Sequence, residues 1–236
     1  MHMSRRLSFL TTILAGYLLA QSNGTLGSQA ELISRMGQLN STSTLDPAGS
    51  SGLLGLRVGM GANAVSYKES LQESVTTLLQ NTEPAAEDIL ITPRLWINKE
   101  ILYPVSLSIT MGQISENVTQ MGGSLQWTVF EAFAMPAVAA RLGYSKLFGL
   151  AKTNLETTEM ELRASWGIAF FSLYAGYGIH YHTWDSDSFG NETLEEQEQI
   201  AGLSINALPP FFTLGFEMRK PRYSEATYAA KMSLEI

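Results

Sequence analysis

Two histidines, His180 and His182, stand two residues apart in the stretch FFSLYAGYGIHYHTW, Phe170 to Trp184, with Asp185 and Asp187 just beyond. Imidazoles at i and i+2 share one face of a strand and could share a metal ion, with carboxylates completing its shell. The same His and Asp types, paired, could activate a water for hydrolysis. The plainer reading is a set of polar residues at a wet rim, because the sequence identifies no further ligands. The segment DSDSFGNETLEE, Asp185 to Glu196, places Asp185, Asp187, Gly190 and Glu196 at positions 1, 3, 6 and 12 of a calcium loop. Phe189 stands at position 5, where a ligand is required, so the segment reads as an acidic surface loop. There is no serine elbow, phosphate loop, dinucleotide fingerprint or cysteine ligand set. Enzyme function has no positive support beyond a rim-sited hydrolase or metal site at His180, His182 and Asp185, and no cofactor is implied.

A second set of chemistry-bearing residues is Arg57, Arg94, Arg141, Glu159, Glu161, Arg163, Glu217 and Lys231, joined by Arg219 and Glu225. Most sit inside segments whose apolar residues recur at every second position. Leu54, Leu56, Val58 and Met60 alternate with Gly55, Arg57, Gly59 and Gly61. Met160, Leu162, Ala164 and Trp166 alternate with Glu159, Glu161, Arg163 and Ser165. Phe212, Leu214, Phe216 and Met218 alternate with Thr213, Gly215, Glu217 and Arg219. Such alternation gives each strand one apolar and one polar face. A soluble sandwich would alternate too. These segments, however, run to about ten residues, the span of a tilted strand across a bilayer, where sandwich strands run to about 5–6.

Ten strands are expected, at roughly 52–62, 88–98, 102–113, 122–134, 137–147, 155–166, 169–182, 197–207, 211–219 and 224–235, with eight to twelve as the bracket. Their connections alternate between tight (98–101, 135–136, 167, 208–210) and mostly longer and more polar (63–87, 114–121, 148–154, 183–196, 220–223). That is the rim asymmetry of an outer-membrane barrel, with the short turns periplasmic. Aromatic residues sort onto two belts, Tyr103, Phe133, Trp166, Phe171 and Phe212 near the short turns and Tyr144, Tyr181, Trp184 and Tyr228 near the long-loop rim. An even strand number puts both termini on the periplasmic side. The fold class is therefore all-β, an antiparallel up-and-down transmembrane barrel over 52–236. Within 170–184, Phe171, Leu173, Ala175, Tyr177, Ile179 and Tyr181 are expected to face lipid. Phe170, Ser172, Tyr174, Gly176, Gly178, His180 and His182 are expected to face the lumen.

The rest of the chain fits an exported protein. Arg5 and Arg6 precede an apolar run, Leu7 to Ala20, that is shorter than the ~17–25 residues a helical span needs, and Ala20-Gln21-Ser22 offers a small-residue cleavage site. Residues 1–22 read as a signal peptide. Residues 23–51 are polar, with Leu32, Met36 and Leu39 at helical spacing; a mobile periplasmic leader is preferred there over a plug element. Tyr67 to Gln80 places Tyr67, Leu71, Val75, Leu78 and Leu79 on one helical face, which suits a short helix in the first outer loop. The chain carries a formal charge of −7; with no basic stripe to neutralise phosphates, it is not expected to bind nucleic acid.

The segments PAVAARLGYSKLFGL (136–150) and LETTEMELRASWGIAFFSLYAGYG (155–178), together with ITPRLWINKE, GGSLQWTVFE and AGLSIN, resemble a little-characterised, porin-like family of proteobacterial outer-membrane β-barrel proteins. The resemblance covers roughly 89–206. It implies the fold and the outer membrane as location, and it supplies no activity.

In such a barrel the charged set would line a narrow lumen, either as a salt-bridge network that fills it or as the selectivity lining of a small pore. The leading functional expectation is a channel for small solutes. The alternative is a structural or adhesive surface barrel with a sealed lumen, acting through its outer loops. The expected partners are the lipid bilayer, lipopolysaccharide and small solutes.

Overall fold

The computed structural model describes residues 28–49, 55–79, 89–102, 104–131, 136–168, 170–187, 190–208 and 212–235. The signal peptide, Tyr103 and Phe133 lie outside the described residues. Ten strands form one closed antiparallel barrel in which each strand pairs with its chain neighbours and β1 closes on β10. They are β1 (Leu56–Ser66), β2 (Ile89–Leu102), β3 (Val105–Gln113), β4 (Thr119–Phe130), β5 (Ala137–Phe148), β6 (Thr153–Ile168), β7 (Phe171–Ser186), β8 (Gly190–Leu208), β9 (Phe212–Pro221) and β10 (Thr227–Glu235). The expected number and order hold. Closure leaves no backbone edge to lipid, which could not satisfy one.

The alternation read in the sequence is the inside–outside division of the wall. Ile91, Leu95, Ile97, Ile109, Leu142, Leu162, Leu173 and Phe216 are exposed on the outside, where lipid replaces water. Their strand neighbours Arg94, Thr110, Arg141, Glu161, Arg163, Tyr174 and Glu217 are buried inside. Within 170–184 the expected division holds from Phe171 to His182. At its ends it does not. Phe170 lies in the turn before β7 and is exposed, and Trp184 is 1% exposed. Trp184 shares the luminal parity of His180 and His182, so it packs inside the mouth instead of joining an outer belt.

The wall is uneven in height. Strands β6 and β7 run 16 residues and β8 runs 19, whereas β3 and β10 run 9. The expected long acidic loop at 183–196 is therefore the top of a tall hairpin, in which β7 runs to Ser186 and β8 starts at Gly190. Asp185 pairs across it with Asn191, and Glu196 faces the lumen, opposite His180. No calcium-loop geometry survives in a ladder that holds these residues extended on opposite faces.

The N-terminal region departs most from expectation. It is a plug, not a leader. Helix α1 (Ser28–Leu39) lies inside the long-loop mouth, and residues 40–48 run extended down the lumen. Leu32, Ile33, Met36 and Leu39 pack with Val65, Leu147, Leu155 and Trp184 of the wall and with Ile114 and Val118 of the loop between β3 and β4. The first outer loop covers them: a 3-10 turn (Glu69–Leu71) and helix α2 (Gln72–Leu78) bury Leu71, Val75 and Leu78 in the same cluster, and Leu79 follows. At the other end Ala48 packs against Ala137 and Ala139 near the short turns. The barrel strands begin and end at the short-turn rim, as an even number requires. The segment before them threads the lumen from one rim to the other, so Ser28 stands at the long-loop rim and not at the short-turn rim where the strands begin.

Candidate functional site in the lumen

The site is built from inward-facing strand residues and the segment they grip. At the top, Ser34 Oγ donates to Glu196 Oε1 at 2.6 Å, and the other oxygen of Glu196 meets His182 Nε2 at 3.2 Å. Thr157 Oγ1 lies 3.0 Å from His182 Nδ1. Gly37 lies directly over the His182 ring: a Cβ there would sit 2.3 Å from Cε1. Outside this level, Glu31 joins Arg35 at 2.7 Å and Lys68 at 2.9 Å. Partial burial would raise the Glu31 carboxyl, but hydrogen bonds and charge from Lys68 and Arg35 hold it below its ordinary value.

Below the helix, Arg94 from β2 caps its carbonyl end. The guanidinium donates to Leu39 O at 2.5 Å, to Gln38 O at 3.3 Å and to Ser41 O. The last turn of a helix leaves carbonyls without partners and carries partial negative charge, so a fixed cation suits it. Asn40 then reaches sideways, its amide donating to Thr157 Oγ1 at 3.1 Å and Ser145 O at 3.3 Å.

The extended part of the plug meets the charged wall one residue at a time. Thr42 gives its N–H and hydroxyl to the two oxygens of Glu159, at 2.8 and 2.7 Å, and accepts from Arg141 at 2.5 Å. It has room because Gly122 and Gly143 face it; a Cβ on Gly143 would lie 2.4 Å from Thr42 Oγ1. Ser43 donates to Glu217 at 2.9 Å. Leu45 adopts φ 53°, a left-handed conformation uncommon for a non-glycine residue. Beyond it Asp46 pairs with Arg57 at 3.0 Å and with Lys231, while its carbonyl accepts from Arg163 at 3.0 Å. Thr128 and Ser165 hold the backbone of Ala48.

Behind the plug the wall pairs with itself. Arg141 contacts Glu159 and Glu161, both at 3.1 Å. Arg163 lies 2.7 Å from Glu161 and 3.4 Å from Glu217, and Tyr174 donates to Glu217 at 2.9 Å. Arg219 joins Glu217, Glu161 and Glu198 at 2.6, 3.0 and 2.7 Å. Charges at such burial are tolerable only when paired and hydrogen-bonded, and here nearly every one has both.

All eight residues expected to line the lumen face inward, and the plug brings most of them together: Arg94 on the helix end, Arg141 and Glu159 on Thr42, Arg163 and Glu217 on Ser43, Arg57 and Lys231 on Asp46, with Glu161 behind. Glu225 does not join them; it lies exposed at the outer rim, donated to by Ser66. His180 and His182 face the lumen while Asp185 points outward, so that trio is not assembled. His180 Nε2 instead lies 3.6 Å from Glu161 and 3.4 Å from Glu198. Those three could surround an ion. The oxygens nearest His180, Glu161 Oε1 and Glu198 Oε2, are both taken by Arg219 Nη1, whose positive charge opposes a cation there, while Glu198 Oε1 and the ring nitrogens of His180 have no hydrogen-bond partner. The residues that sequence reasoning missed are Asp46, Ser43, Thr42 and Asn40 of the plug, together with Glu198; Glu196 was singled out only as a loop position and instead faces the lumen. Their signal was weak: a polar, nearly uncharged stretch preceding a barrel whose inside is charged.

A closed barrel with an apolar exterior and short turns on one rim is an outer-membrane architecture, and none of the described helices is long and apolar enough to cross a membrane. No protein-family model matches the chain, and neither does any curated protein. Solved outer-membrane barrels resemble it in fold at low identity. A KdgM porin matches with a TM-score of 0.40 at 8% identity, over 76% of this chain and 99% of that one. Omp33 of Acinetobacter baumannii matches with a TM-score of 0.35 at 7% identity, over 79% and 100%. The translocator domain of the autotransporter NalP from Neisseria meningitidis matches with a TM-score of 0.43 at 10% identity, over 88% and 95%.

Proposed function

We propose that this protein is an outer-membrane barrel kept closed by its own N-terminal segment and acting at the cell surface through its long-loop face. One observation carries the reading: residues 28–48 occupy the lumen and take up the charges that would otherwise line a solute path, at Arg94, Arg141, Glu159, Arg163, Glu217 and Lys231. A selectivity lining has to offer its charges to a passing solute; these are committed to backbone and hydroxyl groups of the same chain. The bilayer and the lipopolysaccharide around the rim are the surroundings this reading assigns, and Lys152 stands exposed at that rim to meet anionic headgroups.

Planar-bilayer recording of the refolded protein tests it. The whole chain is expected to give no steady conductance, and a variant lacking residues 28–48 is expected to conduct. Steady conductance from the whole chain, blocked by small solutes, would return the protein to the pore reading.

A further inference from the structure

The tall hairpin leaves part of one strand without a neighbour. Strand β8 pairs with β7 along its full upper length, from Ser186↔Gly190 downward. Its pairing with β9 begins only at Glu198↔Pro221. The chain turns back at 222–226, and Arg222 N donates to Gln197 O at 2.9 Å, the last bond on that side. That bond fixes the geometry above it. Gln197 directs its backbone groups away from β7, and in an antiparallel ladder so do Glu195, Thr193 and Asn191. Among the described residues no strand pairs with this edge, and Asn191, Thr193 and Glu195 are exposed. It stands at the long-loop rim, beyond the span of the short strands.

We propose that the β8 edge from Asn191 to Glu195 is a docking site for an extended, basic peptide segment, which adds to the sheet as a further strand. The assignment rests on the reading of the protein as acting through its long-loop face. An open edge offers main-chain hydrogen bonds to any extended chain; charge selects which one. Asp185, Asp187, Glu192 and Glu195 are all exposed around this edge. Lys152, beside Asp187, and Arg222, at the base, are the neighbouring cations. Two copies of the edge would bring like-charged Glu192 or Glu195 side chains together, which opposes self-pairing, whereas lysine or arginine at alternate positions of an incoming strand would share one face and meet Glu195 and Asp185, which both point outward.

The test uses the refolded full chain in non-ionic detergent and a fluorescein-labelled decapeptide of alternating lysine and valine, followed by anisotropy. Binding is expected, weakening as salt rises from 50 to 300 mM. Glu195→Pro removes an edge N–H that β7 does not use, and is expected to weaken binding at least tenfold. Glu192→Gln with Glu195→Gln should weaken it several-fold and flatten the salt dependence. Hydrogen exchange on the unaltered protein gives an independent readout: the peptide should protect the Thr193 and Glu195 amides and leave those of Leu194 and Glu196 unchanged. No binding at 50 mM salt would overturn the assignment. So would binding without that alternating protection, which would mean adsorption to acidic side chains. Sedimentation showing a dimer that Glu195→Pro dissolves would overturn it in favour of a second copy of this chain. None of these failures alters the conductance expected of the closed lumen, so the two readings fall separately.

Discussion

Arg94→Ala removes the cation that caps the helix end of the plug, and its cost can be worked from the contacts. Three carbonyls, of Gln38, Leu39 and Ser41, lose a charged donor inside a site where Arg94 itself is 3% exposed. A buried acceptor left unsatisfied costs roughly 1–3 kcal/mol, and a hydrogen bond to a charged group is worth roughly 1.5–3 kcal/mol. These costs overlap, and water entering the vacated space offsets part of them, so about 3 kcal/mol is a reasonable net for plug seating. At 1.4 kcal/mol per decade that moves the ratio of seated to unseated plug roughly 150-fold. Trypsin reports it directly, because Arg35 is the basic residue of the plug and is 2% exposed when seated. Cleavage after Arg35 should accelerate by about that factor, and brief conducting events should appear in bilayers. Arg94→Lys keeps a cation but loses the fork that reaches three carbonyls, so it should fall between. If Arg94→Ala leaves both Arg35 protection and electrical silence unchanged, while the barrel remains folded, the plug is not held at its helix end and the reasoning fails.

Other expectations follow from the same contacts. Gly37→Val should drive α1 off His182 at a cost of about 1–3 kcal/mol, seen as greater acrylamide quenching of the buried Trp184; unchanged quenching would mean that the helix tilts to absorb the methyls. The folded Glu31 carboxyl lies below its ordinary value of 4.5, so its stabilising contribution is complete above that value and is lost as pH falls through the lower folded one. Glu31→Gln should therefore reproduce at pH 7 the loss of α1 amide protection that acid causes in the unaltered protein, and equal protection in the two at pH 7 would refute it. Zinc or nickel titration should give the same calorimetric trace for the unaltered protein and for His180→Ala with His182→Ala; a site lost with the histidines would contradict the occupation of Glu161 and Glu198 by Arg219. Leu142→Arg, on the lipid face, should destabilise the barrel by roughly 2–4 kcal/mol if it lies at the bilayer midplane, measurable as a lower urea midpoint for unfolding in liposomes.

The wall was legible in the sequence because a bilayer imposes period two on every strand and gives no relief at any position. Strand number, order and the inward set from Arg57 to Lys231 follow from that rule alone. The plug was not legible, for a physical reason. Its residues Ser41, Thr42, Ser43 and Thr44 are those of a solvated linker, and what makes them a buried core is the charge facing them, which their own local pattern does not encode. Periodicity could find α1 through Leu32, Met36 and Leu39, but not its destination. The acidic stretch at 185–196 misled in the opposite sense. Asp, Asn, Gly and Glu signal a loop by composition, while the ladder from Tyr181↔Glu195 to Asp185↔Asn191 carries the hairpin straight through it. Trp184 was assigned outward by its place near a rim, although the parity that assigned His182 inward applied to it equally.

The direction of the threaded segment bears on how the barrel comes to be filled. Residue 49 is tethered close to the short-turn rim and α1 rests at the far one, so the N-terminal side of α1 is the leading side of any passage through the lumen. The helix must then travel past Arg163, Glu161, Glu159 and Arg141 before it seats. It carries two charges, Glu31 and Arg35, spaced i and i+4 and joined at 2.7 Å. The pair makes the traveller electrically neutral in a corridor of alternating sign, where a lone charge would be caught by the first opposite partner it met. Breaking that pair would then slow the filling of the barrel as well as loosen the finished plug, and refolding kinetics can separate the two effects.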